Sequence, residues 1–172
     1  MKLPTLRNTD EFKRGRNGEH VFAGWFQQRG CFVIPSYDYS GEDGDKAPKM
    51  DGANLSLVIP DLDVAKSGSR WWVEVKTKWK ADFYRKGKCL EHGVNKRHYE
   101  HYLRVQRETD TPVWLCIYEE RDGYLLGARL DDLGPYGREY RGSKMGRDGM
   151  VFWPRERFKV FGKIAPASKA AA

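Results

Sequence analysis

Two short β-type segments joined by a tight turn constrain the fold of this chain more than any other feature. Residues 62–65 and 71–78 flank a turn at residues 66–70 that contains Gly68. In the second segment Trp71, Val73 and Val75 alternate with Trp72, Glu74 and Lys76. Such segments around a glycine-containing turn are typical of a β-hairpin. The chain is therefore predicted to build its sheet around this hairpin.

Antiparallel pairing across this turn gathers charged side chains on one face. It places Asp61 opposite Glu74, and period-two alternation puts Lys76 on the same face as Glu74, while Val73 and Val75 point into the core. Two carboxylates about 4 Å apart repel by roughly 4 kcal/mol at an effective dielectric constant near 20, so a cation is needed beside them. Lys76 supplies one positive charge, and the carboxylate oxygens suit Mg²⁺ or Mn²⁺.

One alternative pairing stays open at this point. Asp63 has the same side-chain parity as Asp61, so a register shift of two residues would place Asp63 opposite Glu74 instead. The hairpin pairing with the turn near Gly68 favours Asp61.

Helical and strand patterns surround the hairpin and define a fold class. Helices are expected at residues 10–29 and, after an N-cap at Asn95, to about residue 108; further strands are expected at 31–34, 55–59, 113–119 and 124–130. Residues 36–52 and 131–149 are predicted as loops, and 150–161 as a last apolar piece. This order predicts an α/β (α+β) mixed sheet in a single domain of residues 1–165, followed by a disordered tail at 166–172.

Composition narrows the classes of partner and location. The 172 residues carry 31 Lys plus Arg against 24 Asp plus Glu, a formal charge of +7 that favours polyanionic partners. The longest apolar run, residues 113–118, is far shorter than the ~20 residues of a membrane helix, and residues 1–14 lack the apolar core of a signal peptide. Three cysteines without paired spacing indicate reduced thiols and a cytoplasmic protein without a membrane partner.

The hairpin resembles a known family signature. Pro60 and Asp61, followed after the turn by Glu74-Val75-Lys76, look like the motif of the PD-(D/E)xK nucleases, the restriction-endonuclease-like superfamily that includes archaeal Holliday-junction resolvases. The resemblance extends over roughly residues 10–130. It implies a restriction-endonuclease-like mixed sheet flanked by helices, with the core order αβββαβ, which matches the element order above.

The resemblance also implies roles for individual residues. Asp61, Glu74 and the Val75 carbonyl would bind the divalent ion, and Lys76 would orient or help deprotonate the attacking water. Glu19, on the first helix, would be a further metal or water ligand. Asp51 also precedes Glu74 at a spacing that the family tolerates, so it is a second candidate for the position assigned to Asp61.

Basic residues crowd the chain after the hairpin and predict contacts with a nucleic-acid backbone. Within this stretch and on the second helix, the candidate nucleic-acid-binding residues are Lys78, Lys80, Arg85, Lys96, Arg97, His98 and Tyr99. The competing interpretation is a solvated basic face whose aromatic residues point into the core.

Other chemistries have weaker support in the sequence. Cys89 and His92, followed by His98 and His101, have acceptable ligand types for a zinc site. No glycine-rich phosphate loop precedes a Lys-Ser/Thr pair, and no serine lies in a nucleophile elbow, which argues against a P-loop protein and a serine hydrolase.

The sequence therefore predicts a Mg²⁺-dependent or Mn²⁺-dependent nuclease that hydrolyses DNA, and the resemblance implies a 5′-phosphate and a 3′-hydroxyl as products. A non-catalytic nucleic-acid-binding protein and an RNA-directed nuclease of the same fold are the alternatives. A homodimer is a further expectation, because cutting two strands often calls for two copies.

Overall fold

Three α-helices and twelve β-strands form the computed structural model, which describes residues 10–36, 48–141 and 149–165. The helices are α1 (Asp10–Gln27), α2 (Lys96–Thr109) and the single turn α3 (Leu130–Leu133). The strands are β1 (Phe32–Pro35), β2 (Lys49–Asp51), β3 (Ser56–Val58), β4 (Leu62–Lys66), β5 (Ser69–Lys78), β6 (Asp82–Tyr84), β7 (Cys89–Asn95), β8 (Val113–Glu119), β9 (Tyr124–Arg129), β10 (Arg138–Tyr140), β11 (Met150–Pro154) and β12 (Lys159–Lys163).

The central sheet has six strands in the order β1-β4-β5-β8-β9-β12, and the predicted hairpin lies within it. β4 pairs antiparallel to β5, with Leu62 opposite Val73 and Asp63 opposite Trp72. This is the register that a turn near Gly68 predicts, and it excludes the two-residue shift. β5 and β8 pair in parallel through a crossover that contains α2. The core order α1, β1, β4, β5, α2, β8 confirms the predicted αβββαβ arrangement.

The central sheet separates two apolar layers. On one face, Phe22 and Phe26 of α1 pack against Val73 and Val75 of β5, so both valines are buried as their alternation predicted. On the other face, α2 covers the strands, and the buried residues there include Trp72, Leu115, Ile117, Tyr102 and Val105. Asn95 caps α2 as expected, because its side-chain oxygen accepts a hydrogen bond from the Arg97 amide at 3.0 Å.

A second sheet of four strands, in the order β10-β11-β7-β6, is the main departure from the sequence-based expectation. The region at 131–149 was predicted as loop, but it contains all of β10 and three of the four residues of α3. β6 and β7 were not predicted at all. β6 is only three residues long, and β7 contains charged and small residues with little alternation of apolar and polar side chains. β11 and β7 add Trp153 and Val94 to the core on the α2 side.

Two further sequence-based assignments concern residues 36–52 and 166–172. Lys49–Asp51 forms a short strand paired with Ser56–Val58, so the predicted loop at 36–52 extends too far. The tail at 166–172 lies outside the described residues. Among the helices in the described ranges, none is long and apolar enough to cross a bilayer.

Candidate active site

The site forms where the β4–β5 ladder ends. The ladder stops at Leu62 and Val73, while β5 continues to Lys78, so the Val75 amide has no β4 partner. Asp61 fills this gap, because its Oδ2 accepts a hydrogen bond from the Val75 amide at 2.8 Å. A backbone amide left unpaired would be costly, and the carboxylate of Asp61 is therefore fixed beside the strand that carries Glu74 and Lys76.

Ser36 anchors the segment that carries Asp61. The Ser36 amide donates to the Asp61 carbonyl at 2.8 Å, and its hydroxyl donates to the carbonyl of Pro60. Ser36 is buried. Sequence reasoning placed it at the start of a surface loop, because no local pattern signals a contact between β1 and a turn so far along the chain.

Glu74 is held by two donors at one oxygen. Lys76 Nζ and the Tyr102 hydroxyl each lie 2.5 Å from Glu74 Oε1. Lys76 and Glu74 thus share one face, as predicted. Among the tyrosines of α2, the sequence favoured Tyr99, but Tyr102, three residues further along the helix, is the one that reaches Glu74. Tyr99 instead packs edge-on against Trp153, with ring centroids 5.0 Å apart.

Glu19 approaches the same site from α1. The cleft has a volume of about 280 Å³ and combines residues of α1 with residues of the hairpin; its lining consists of Arg14, Gly15, Glu19, Asp61, Val75, Lys76 and Thr77. Arg14 was not predicted, and its guanidinium pairs with the buried Glu120. The structure thus brings Glu19, Asp61, Glu74 and Lys76 together, although they come from three separate segments.

The charges of the site act on one another. Burial raises the pKa of Asp61 well above its ordinary value, and the neighbouring Glu74 raises it further. Lys76 lowers this pKa, but its effect is smaller than that of burial or of Glu74. Burial also raises the pKa of Glu19, against a lowering by Arg16, and Glu74 adds to the rise. Burial and the neighbouring Glu74 therefore both disfavour the charged forms of Asp61 and Glu19 when no cation is bound.

Lys76 remains cationic in this environment. Burial opposes its charge, but Glu74, Tyr102 and Asp61 together raise the pKa of Lys76 well above its ordinary value. The side chain is therefore an ammonium at neutral pH, held at the mouth of an acidic cleft.

The donor set fits a hard divalent cation. Asp61 uses Oδ2 for the Val75 amide, and Glu74 uses Oε1 for Lys76 and Tyr102, which leaves one oxygen of each carboxylate to face a cation. In the described part of the chain, no three acidic, histidine or cysteine side chains form a complete ligand cluster. A cation here would thus draw on the Val75 carbonyl and on water as well as on the carboxylates.

Neither alternative aspartate is placed like Asp61. Both oxygens of Asp63 accept hydrogen bonds from Arg70, at 2.8 Å and 2.6 Å, and are used in that ion pair. Asp51 is exposed at the end of β2, and it is not among the groups that shift the pKa of Asp61.

The predicted nucleic-acid-binding residues occupy different environments. Lys80, Arg85, Arg97 and His98 are exposed. Lys78 is half-buried, and Lys96 pairs with Glu139 at 2.8 Å. The basic residues are therefore dispersed over the surface. Tyr99 instead belongs to the packing of α2.

The zinc interpretation is wrong. His92 is buried, and its Nε2 lies 2.8 Å from Glu119 Oε1, while His98 and His101 lie on α2. Cys89 and His92 are three positions apart on β7 and so point to opposite faces of that strand. None of the described cysteines and histidines forms a metal-ligand group.

The element order and the mixed central sheet define a restriction-endonuclease-like fold. Among solved structures, the Holliday junction resolvase Hjc of Archaeoglobus fulgidus matches 84% of this chain and 91% of its own, with a TM-score of 0.52 and 12% identity. The nuclease D212 of a fusselovirus matches 93% of this chain and 90% of its own, with a TM-score of 0.47 and 12% identity. No protein-family model and no curated protein matches the sequence.

Proposed function

We propose that this protein is a metal-dependent nuclease that hydrolyses phosphodiester bonds of DNA. The observation that carries the proposal is the convergence of Asp61, Glu74 and Lys76 at the end of the β4–β5 ladder, with Glu19 facing them from α1. The restriction-endonuclease-like fold supports the same conclusion. The net charge of +7 favours a polyanionic substrate.

Mg²⁺ or Mn²⁺ is the proposed cofactor. Asp61, Glu74 and the Val75 carbonyl would hold it, with Glu19 reaching it directly or through water. When bound, the ion would polarise a phosphodiester oxygen and lower the pKa of a coordinated water. Burial and the neighbouring Glu74 disfavour the charged form of Asp61, and a bound cation would offset both effects.

The side chains of the site then have separate roles. Lys76, as an ammonium, faces the charge that builds on the phosphate during in-line displacement and orients the attacking water. Glu74 holds Lys76 in place through the 2.5 Å contact at Oε1. Glu19 would accept a hydrogen bond from a water in the cleft. Cleavage would leave a 5′-phosphate and a 3′-hydroxyl.

The proposal also includes a cytoplasmic location and a homodimer. All three cysteines, Cys31, Cys89 and Cys116, are free thiols, which supports the reducing environment of the cytoplasm. Two copies acting together would allow both strands of a duplex to be cut.

Cleavage assays with matched variants test the proposal. Supercoiled, linear duplex and single-stranded DNA, and an RNA strand, are incubated with Mg²⁺, with Mn²⁺ and with EDTA. Wild-type protein should cut DNA only with a divalent ion, and Asp61→Ala and Lys76→Ala should lower the rate by at least about a hundredfold.

Two control variants separate the site from the general surface. Asp51→Ala and Lys159→Ala remove an exposed acid and an exposed base elsewhere and should cut at the wild-type rate. Cleavage in EDTA, or full activity of both site variants, would contradict the mechanism. Binding of DNA without cleavage under every ion condition would indicate a non-catalytic protein, and preferential cutting of RNA would change the substrate.

A further inference from the structure

The hairpin of β6 and β7 presents an apolar pair to solvent. Phe83 is 62% exposed and Leu90 is 47% exposed, and the two residues lie directly opposite each other across the strands. Their side chains therefore form one continuous apolar surface on one face of this hairpin. We call residues 82–91 the Phe83 hairpin.

The opposite face of the Phe83 hairpin is firmly packed. Arg138 lies over the Tyr84 ring, 4.0 Å from its centroid, and pairs with the buried Glu91 at 2.6 Å. The turn is equally tight, since a Cβ at Gly87 would lie 2.5 Å from Cδ1 of Tyr84. Because these contacts fix the hairpin from behind, Phe83 is held outward and is not free to fold back into the core.

The turn of the hairpin is strongly cationic. Arg85, Lys86 and Lys88 follow one another around it, and all three are exposed. None of them forms an ion pair with any residue that the structure describes. An apolar surface bordered by three solvent-facing cations is complementary to a ligand with both flat apolar groups and negative charges.

The Phe83 hairpin also follows the candidate active site closely along the chain. Val75, Lys76 and Thr77 of β5 line the cleft. β5 ends at Lys78, and the chain enters β6 at Asp82. The strand that lines the cleft thus leads directly into the hairpin.

We propose that the Phe83 hairpin binds unpaired DNA, with bases stacked on Phe83 and Leu90 and with phosphates held by Arg85, Lys86 and Lys88. A single strand offers base faces and backbone charge together, whereas a duplex hides its base faces in the stack. The substrate class that follows is DNA with single-stranded character near the cleaved bond. This last step rests on the proposed nuclease function, but the binding itself does not.

Binding measurements in EDTA test the inference without any cleavage. Fluorescence anisotropy compares a labelled single-stranded oligonucleotide with the blunt duplex of the same sequence. Phe83→Ala should weaken binding of the single strand by roughly tenfold, the effect of losing one stacked base, and binding of the duplex by less than about twofold. Phe83→Trp should retain the single-strand affinity, because it preserves an aromatic face.

Controls separate stacking from folding and from charge. Phe32→Ala removes an aromatic side chain that is 79% exposed on β1, at an edge of the central sheet, and should leave both affinities unchanged. Replacing Arg85, Lys86 and Lys88 by alanine should weaken binding of both DNAs and reduce the dependence of affinity on salt.

The outcomes are distinguishable from those of the cleavage assay. An equal loss for single strand and duplex in Phe83→Ala, or an affinity of that variant equal to that of Phe32→Ala, would overturn the inference even if the protein cuts DNA. Conversely, selective loss in Phe83→Ala would support it even if no cleavage is found, because binding is measured in EDTA and does not depend on turnover.

Discussion

The hydroxyl of Tyr102 makes one of the two contacts that fix Glu74. It donates to Oε1 at 2.5 Å, from a buried position on α2, and burial together with Glu74 raises the pKa of Tyr102. The hydroxyl is therefore protonated and remains a donor across the neutral range. Its effect on the reaction would be to set the orientation of a carboxylate that faces the metal.

Tyr102→Phe removes this donor and preserves the ring. We expect kcat/KM for DNA cleavage to fall by about tenfold, as for loss of one hydrogen bond to a charged group. The Mg²⁺ concentration for half-maximal activity should rise as well, because Glu74 is less well placed. Titrations of rate against Mg²⁺ measure both effects.

Tyr118→Phe is the matched control. Tyr118 is a buried tyrosine of β8 that belongs to the core cluster on the α1 side of the sheet. Wild-type rates in Tyr118→Phe and reduced rates in Tyr102→Phe would assign the effect to Glu74. Equal rates in the two variants would show that the Tyr102 hydroxyl has no part in the reaction.

Gly18 determines how closely α1 approaches β5. A Cβ at this position would collide with Thr77 Oγ1 and would lie 3.3 Å from Cγ1 of Val75. The missing side chain thus lets the helix backbone contact the strand, and the next residue, Glu19, then reaches the cleft. A residue without a side chain is here a condition for the position of a charged one.

Gly18→Ala should separate α1 from β5. Overpacking of this kind lowers the unfolding free energy by about 1–3 kcal/mol. The displacement of Glu19 should also lower the rate of DNA cleavage. Gly24→Ala on the same helix has no neighbour within 4 Å of the new Cβ and should stabilise the protein by about 0.5–1 kcal/mol. Urea denaturation of both variants measures the difference. A stability gain in both would show that the helix moves away without cost.

Elements with strong local patterns were predictable, and those held by distant contacts were not. The alternation of β5 and the turn at Gly68 fix the face of Glu74 and Lys76, and the structure has that register. α2 was also predictable, but its rotation was not. Residues three apart on a helix differ by only about 60° in direction, so the packing of Tyr99 against Trp153 decides that Tyr102 is the tyrosine that reaches Glu74.

A buried ionic cluster joins the six-stranded and the four-stranded sheet. Glu119, at the end of β8, accepts hydrogen bonds from Arg155 at 2.8 Å and 2.6 Å, and its Oε1 lies 2.8 Å from His92 of β7. Burial opposes the charge of Glu119, but the bonds from Arg155 and His92 lower its pKa to about 2. The cluster links the second sheet to the strand that runs beside β5.

This cluster makes stability depend on acid pH. Because the pKa of Glu119 is about 2 in the folded state and 4.5 otherwise, its contribution is complete above about pH 5 and is lost as pH falls toward 2. We expect the gap in unfolding free energy between wild type and Glu119→Gln to shrink by about 3 kcal/mol over that interval. Urea denaturation at several pH values measures it.

Glu139→Gln is the control for this measurement. Glu139 also pairs with a cation, Lys96, but it is exposed, and solvent screens its charge. Its difference from wild type should change far less with pH. A gap for Glu119→Gln that stays constant from pH 5 to pH 2 would contradict the role of the buried cluster.

Local sequence was sufficient for the hairpin, its register and the three side chains that it presents, because side-chain direction in a strand follows from covalent geometry alone. It was not sufficient for the anchoring of Asp61 by Ser36, the choice of Tyr102 over Tyr99, or the second sheet that carries Phe83. Each of these depends on which distant segments of the chain pack against one another. Such packing leaves no periodic pattern in the sequence of either segment.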